Sequence, residues 1–332
     1  MRITVLGAGA WGTALAIAFS RRHRVTLWAR NSDQVAAMAA QRENVRYLKD
    51  CPFPEELKLE AGYATAIADA ELLVIASPLS GLRDSLIQLR EARHQSPILW
   101  VCKGLEATTG LLPHQVVAEV LGDEITCGVL TGPSFALELA KGLPTVVTLA
   151  STDEAFALNT AKQLHGGNLR IYATDDVIGA EIGGAVKNVM AIATGISDGM
   201  NLGANCRAAL LTRGLAEITR FGVALGGKAE TFMGLSGMGD LFLTCTGDLS
   251  RNRRVGLLLA TGMGIAEIKA QLGHVAEGVP AAREVARRAD EMSVYMPITQ
   301  VVCAIVEGRM TAEHGLQFMM SSEAGAEVLE TL

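Results

Sequence analysis

The residues that most directly imply chemistry stand near the start of the chain. Gly7-Ala8-Gly9-Ala10-Trp11-Gly12 has the spacing Gly-x-Gly-x-x-Gly, follows the run Ile3-Thr4-Val5-Leu6 and opens a helical pattern. In a strand-turn-helix unit the first glycine permits a tight turn, the second lets the backbone approach a pyrophosphate, and the third lets helix and strand pack closely. Amides exposed at the helix start then face phosphate oxygens. Alone, such a string is a weak signal, because glycines also gather in ordinary turns. Its context strengthens it: a helix from Thr13 to Ser20 and a second strand from Arg24 to Trp28 complete a βαβ unit, so the turn reads as a dinucleotide site.

A second set of candidates lies in the C-terminal half. Lys187 stands among small and apolar residues in Glu181-Ile182-Gly183-Gly184-Ala185-Val186-Lys187-Asn188-Val189. Burial or nearby positive charge brings a lysine amine down from about 10.4 and makes it competent in proton transfer near neutrality. Snorkelling from a packed helix is the commoner fate of such a lysine. Asp240, within Gly237-Met238-Gly239-Asp240, reads equally as a group that orients or balances Lys187 and as a turn or helix cap. Ser250 at a helix start, with Arg251 and Asn252 in the first turn, makes an anion cradle suited to a phosphate. Basic residues there oppose the helix dipole unless an anion is present, although a solvated charge cluster is the bland alternative.

Three further segments join these. Lys103-Gly104 lies just beyond the apolar strand Ile98-Leu99-Trp100-Val101-Cys102, at the carboxyl edge where open parallel sheets bind ligands. Thr131-Gly132-Pro133-Ser134-Phe135-Ala136 follows a strand ending at Leu130 and reaches the same edge. Val275-Ala276-Glu277-Gly278 reads as a short loop between helices. The last two have a plain turn as their alternative. After the second strand, Trp28-Ala29-Arg30-Asn31 offers Arg30 where NAD-selecting domains usually place an acid, which favours NADPH unless Arg30 is merely a surface residue.

The elements that must position these groups follow from the pattern. Strands at 3–6, 24–28, 71–76, 98–102, 126–130, 145–149 and 169–173 predict an α/β domain with a doubly wound sheet. Thr174-Asp175-Asp176 can cap a long helix through Ile182, Val186, Val189 and Ala193. Later segments, 207–221, 250–261, 265–272 and 280–292, read as helices. The expected organisation is a Rossmann-type domain over 1–178 and an all-α C-terminal domain over 179–332.

Composition narrows the function classes. With 332 residues the chain can bury a full core and favours two domains. A net charge of -6 and no basic run argue against a broad nucleic-acid surface. Six cysteines without Cys-x-x-Cys spacing fit a reducing cytoplasm, and six scattered histidines give no metal spacing. No uncharged apolar stretch reaches the length of a spanning helix, and the apolar N-terminus, broken by turn glycines, belongs to the mature fold.

Taken together, the chain resembles the bacterial type of NAD(P)-dependent glycerol-3-phosphate dehydrogenase along nearly its whole length. The resemblance rests on residues 7–12, Asn44-Val45-Arg46-Tyr47-Leu48, Cys102-Lys103-Gly104, Gly132-Pro133-Ser134-Phe135-Ala136, Glu181 to Asn188, Gly239-Asp240, Ser250-Arg251-Asn252 and Val275 to Gly278. It implies that Lys187 is the proton donor and acceptor, and that Lys103, Gly132, Ser134, Lys187, Asp240, Ser250, Arg251 and Asn252 surround glycerol 3-phosphate. It implies cofactor contacts, to NADP or NAD, from Ala10, Trp11, Arg30, Lys103, Ala136, Arg251, Val275 and Glu277, beside the turn glycines Gly7, Gly9 and Gly12. A cytoplasmic homodimer supplying phospholipid synthesis is the family expectation. Two features depart from the pattern: Leu79 stands after Pro78 where such enzymes commonly carry Ser, and the tail from Met319 to Ala324 lacks their usual basic residues.

Two other readings compete. A ketopantoate or β-hydroxyacid reductase also places a lysine near the domain junction, but its carboxylate substrate needs no phosphate anchor like Ser250-Arg251-Asn252. A catalytically silent dinucleotide-sensing module would keep the glycine turn, yet has no use for Lys187, Lys103 and Asp240 together.

Overall fold

Strands that are apolar on both faces need cover on both sides, and the central strands here have it. In the computed structural model, which describes residues 1–107, 109–273 and 276–320, the strands in chain order are β1 (Arg2–Leu6), β2 (Arg24–Trp28), β3 (Glu43–Asn44), β4 (Leu48–Pro52), β5 (Lys58–Glu60), β6 (Leu72–Ile75), β7 (Ile98–Trp100), β8 (Cys127–Thr131), β9 (Thr145–Ala150) and β10 (Leu169–Thr174). Eight of them form one sheet in the order β10-β9-β8-β7-β6-β1-β2-β5, while β3 and β4 pair separately as an antiparallel ribbon. Every residue of β6 and β7 is buried.

The order turns at β1, with β2 on one side and β6 on the other, both parallel to it. Strands running outward in two directions from β1 leave a crevice at their carboxyl ends, and the Gly7 turn begins there. The expected α/β architecture is present, with one difference in direction. β9 runs antiparallel to β8, and β10 is parallel to β9, so the last two strands oppose the other six. A parallel neighbour requires a crossover that traverses the sheet. The helix between β8 and β9, Ala136–Ala140, is one short turn that packs on Ala10–Ser20, so β9 re-enters from the edge where β8 left.

Two compact units divide the chain: Met1–Lys103 with Leu111–Val177, and Gly104–Gly110 with the residues from Ile178 onward. Among the described residues the second unit contains helices and no strand. Its axis is the helix Val177–Gly199, long and apolar enough by length and composition to cross a bilayer (mean hydropathy 1.2), yet its apolar 18-residue stretch is 94% buried inside the protein and the helix carries Glu181, Lys187 and Asp198. It is a core helix. Gly195 faces Gly256 of the helix Arg251–Leu259, and a Cβ on either would overlap backbone of the other helix.

One buried carboxylate inside this unit is held by built partners. Glu217, 1% exposed, accepts from the amides of Ile298 (2.6 Å) and Thr299 (3.1 Å) and from the Thr299 hydroxyl (3.0 Å), closing the start of the helix Pro297–Val306. Burial pushes its carboxyl up to about 7, against the lowering effect of those three donors.

Candidate functional site

In the first unit the site is made of backbone. Gly7 has φ +126° and a Cβ there would stand 2.8 Å from the Ala76 carbonyl. A Cβ on Gly12 would overlap the Gly7 carbonyl and meet the Ala76 Cβ at 2.8 Å, which is the close helix-strand contact the motif requires. Gly9 is different. Its φ of -77° and ψ of -177° are open to any residue, and a Cβ there meets nothing within 4 Å. No contact inside the protein therefore asks for glycine at position 9. Its amide also has no protein acceptor among the described residues, and it leads directly into the first turn of Ala10–Ser20. A pyrophosphate drawn close to bare backbone fits both observations.

Around this turn, Ala10 and Trp11 are partly exposed in the first helical turn, and Arg30 is exposed just past β2. At the end of β8, the Lys103 amine (3.4 Å) and the Ser134 hydroxyl (2.8 Å) both donate to the Gly132 carbonyl, so these three residues converge. Gly132 has φ +128°, and its Cβ would press on β9 at Val147, 3.2 Å away. Ala136 opens the following short helix and is partly exposed.

In the second unit the site is made of side chains. Lys187 is 6% exposed and Asp240 1%. The Lys187 amine donates to Asp240 Oδ1 and, at 2.8 Å, to Thr244 Oγ1, while the Thr244 hydroxyl approaches the same carboxylate oxygen at 3.3 Å. An ammonium buried here without a counter-charge would cost several kcal/mol, roughly, and the Asp240 carboxylate offsets part of that cost. A close backbone approach sets the geometry. A Cβ on Gly183 would overlap the Ser236 carbonyl, and one helical turn beyond each of those residues stand Lys187 and Asp240. Asp240 opens the helix Asp240–Thr246, which follows a π-helical turn over Leu235–Gly239.

A second polar cluster adjoins it on the next residue. Asn252 Nδ2 donates to Asn188 Oδ1 at 2.8 Å, and Asn252 Oδ1 accepts from the Gly278 amide at 2.9 Å. Ser250, 3% exposed, caps Arg251–Leu259 by accepting from the Arg253 amide at 3.2 Å. Arg253 is turned inward: its guanidinium grips Asp198 (2.7 and 2.8 Å), which also binds Arg207 (2.6 and 2.8 Å). Arg251 stays exposed at the helix start. Glu277, half-buried, precedes the helix Gly278–Glu291, and Val275 lies outside the described residues, as does the tail beyond Met320. Leu79, the departure from the family pattern, begins a short 3-10 turn.

Sequence reasoning assigned no role to Thr244, Asn188, Asp198 or Asn44. Thr244 had a signal, since Asp240 and Thr244 are spaced i, i+4 on one helix face. The others depend on contacts between segments far apart in sequence. Among the described residues, no group of three or more His, Cys, Asp or Glu is placed to hold a metal ion.

Comparison with known proteins decides the family. The model of the NAD-dependent glycerol-3-phosphate dehydrogenase N-terminus matches residues 2–157, and that of the C-terminus matches residues 176–317. The chain belongs to this family. An NAD(P)+ glycerol-3-phosphate dehydrogenase of Dechloromonas aromatica is 56% identical over 328 residues, covering 99% of this chain and 100% of that one. One from Aromatoleum aromaticum is also 56% identical over 328 residues, covering 98% and 100%. The crystal structure of glycerol-3-phosphate dehydrogenase from Coxiella burnetii aligns with a TM-score of 0.92 at 40% identity, over 97% of this chain and 99% of that one.

Proposed function

We propose that the chain is an NAD(P)-dependent oxidoreductase that interconverts dihydroxyacetone phosphate and sn-glycerol 3-phosphate. The observation that carries this reading is the buried Lys187–Asp240–Thr244 cluster, one residue along the helix from the Asn188–Asn252 bridge to the Ser250 helix start. When bound, the nicotinamide cofactor supplies or takes up the hydride. The Gly9 backbone and the first turn after it would hold its pyrophosphate, with Gly7 and Gly12 fixing that turn and Ala10, Trp11, Arg30, Lys103, Ala136, Arg251, Val275 and Glu277 making the remaining contacts.

Lys187 gives a proton from Nζ to the substrate oxygen as the ketone becomes an alcohol, and takes it back in the reverse direction. Asp240 holds that amine in place and balances its charge. Ser250, Arg251 and Asn252 grip the phosphate at a helix N-terminus, where Asn252 still has an amide hydrogen and Ser250 a hydroxyl hydrogen to offer. Lys103 and Ser134, gathered on Gly132, help hold the substrate. Phosphate binding far from the reacting carbon lends its energy to orienting the carbonyl.

The test is consumption of NADPH or NADH with dihydroxyacetone phosphate, beside a panel of carboxylate-bearing ketones. Turnover on ketopantoate in preference to dihydroxyacetone phosphate would favour the carboxylate-reductase alternative. Cofactor binding without turnover on any ketone would favour a silent sensing module.

The role in supplying phospholipid synthesis, a cytoplasmic location and a homodimer belong to the same proposal. Six free cysteines support a reducing compartment. Exposed Met233 and Phe242, each 60% accessible, offer apolar area for a second copy, and sedimentation velocity checks the assembly.

A further inference from the structure

We propose that Asn44, helped by Gln34, is a positioning residue that aims the Gly9 amide at the cofactor pyrophosphate. The proposal rests on reading the glycine turn as the pyrophosphate site. Asn44 is 1% exposed and comes from the ribbon β3–β4, where the register shifts between Glu43 and Asn44. Such a bulge re-aims a side chain out of the regular pleat. The Asn44 side-chain amide donates to the Ala8 carbonyl at 2.9 Å and to the Thr13 hydroxyl at 2.8 Å. Gln34 Nε2 donates to the same Ala8 carbonyl at 3.2 Å.

That carbonyl belongs to the peptide joining Ala8 to Gly9, and the chain has no cis peptide among its described residues. In a trans peptide the C=O and the following N–H point in opposite directions in one plane. Two amides holding the Ala8 oxygen therefore turn the Gly9 N–H away from Asn44 and Gln34. Among the described residues the Gly9 amide meets no protein acceptor, and the bare Cα beside it has nothing within 4 Å of a Cβ position. Thr13, the other group Asn44 holds, accepts that bond while its own amide closes the helix on the Gly9 carbonyl at 2.9 Å. Asn44 thus ties both sides of Gly9.

The orientation of the Asn44 amide is settled by its partners. A carbonyl can only accept, so the nitrogen must face Ala8. Its oxygen is left buried with no hydrogen-bond partner, a cost the fold bears to keep the donor end on the turn. A residue serving packing alone would not need an amide in that place.

The experiment separates pyrophosphate recognition from general damage by calorimetric titration of the full chain with two probes, ADP-ribose, which carries the pyrophosphate, and adenosine 2′-phosphate, which lacks it. Asn44→Leu is expected to weaken ADP-ribose about tenfold and Gln34→Met about threefold, with adenosine 2′-phosphate held within about twofold in both. Equal loss for the two probes, or no loss for ADP-ribose, overturns the positioning role. If Asn44→Leu does not fold, Gln34→Met decides alone, and unchanged ADP-ribose affinity there overturns the proposal. Wild-type protein that binds neither probe overturns the pyrophosphate reading itself, a result distinct from loss confined to the variants.

Discussion

The glycine turn of the first unit and the lysine cluster of the second are built on opposite principles. Around Gly9 the described residues withhold atoms: no side chain, no acceptor for the amide, nothing within reach of a Cβ. Around Lys187 the protein supplies them, so that amine, carboxylate and hydroxyl satisfy one another inside a packed interior. On the proposed reading, the first region is left open for the cofactor. The second is satisfied as it stands, and on the same reading its substrate would be met by groups already held by partners. Substitutions should therefore separate affinity from stability in the turn and join them in the cluster.

The sharpest test of that contrast is Lys187→Met. It is expected to lower kcat/KM by about a thousandfold in steady-state assays. It also leaves Asp240 buried without its cation, so chemical denaturation should show a loss of about 3 kcal/mol. Full turnover in this variant would end the assignment of Lys187 as proton carrier, and unchanged stability would break the claim that chemistry and packing are joined there.

Gly12→Ala comes next, since its added methyl overlaps the Gly7 carbonyl. Thermal melts should report a loss of about 3 kcal/mol, because a packed backbone cannot yield. Glu217 gives an effect of comparable size through pH. Its folded carboxyl titrates at about 7, above the free value of 4.5, so the native state holds a proton that the unfolded chain has released. The stability that Glu217 contributes is thus full below about 4.5 and lost as pH rises through about 7. Relative to Glu217→Gln, which does not titrate, the wild type should lose up to about 3 kcal/mol of advantage across that window in denaturation series at fixed ionic strength.

Gly9→Ala is the counterpart to Gly12→Ala. Its melting temperature should match the wild type, because the methyl meets nothing, while the NADPH dissociation constant rises about tenfold. A destabilised Gly9→Ala with normal cofactor affinity would reverse the comparison. The smallest effect is expected at exposed Arg30, where Arg30→Ala should reduce the preference for NADPH over NADH about fivefold in competitive kinetics.

The first region was far more legible than the second. A glycine motif between a strand and a helix encodes its own geometry locally, and strands such as 72–75 and 98–100 announce burial by unbroken apolar runs. Helices at 251–259 and 265–272 were equally plain from their caps and periodicity. The reversal of β9 was not, because direction is decided by what the short connecting helix packs on and leaves no periodic trace. The short strands at 43–44, 48–52 and 58–60 escaped for a similar reason, being too brief and polar to stand out. Asp240 was visible as a candidate, but its pairing with Lys187 across 53 positions depends on Gly183 admitting the Ser236 carbonyl, a tertiary fact. Arg253 shows the same limit: its place in the sequence assigned it no partner, and Asp198, 55 positions away, has taken it inward.

The burial of the helix Val177–Gly199 has a practical outcome for heat inactivation. The amine assigned to proton transfer rides on the central beam of its unit, so no folded intermediate can discard that beam and keep a second unit standing. Residual turnover after a heat pulse should then count intact second units, making a simple assay a gauge of how many have survived.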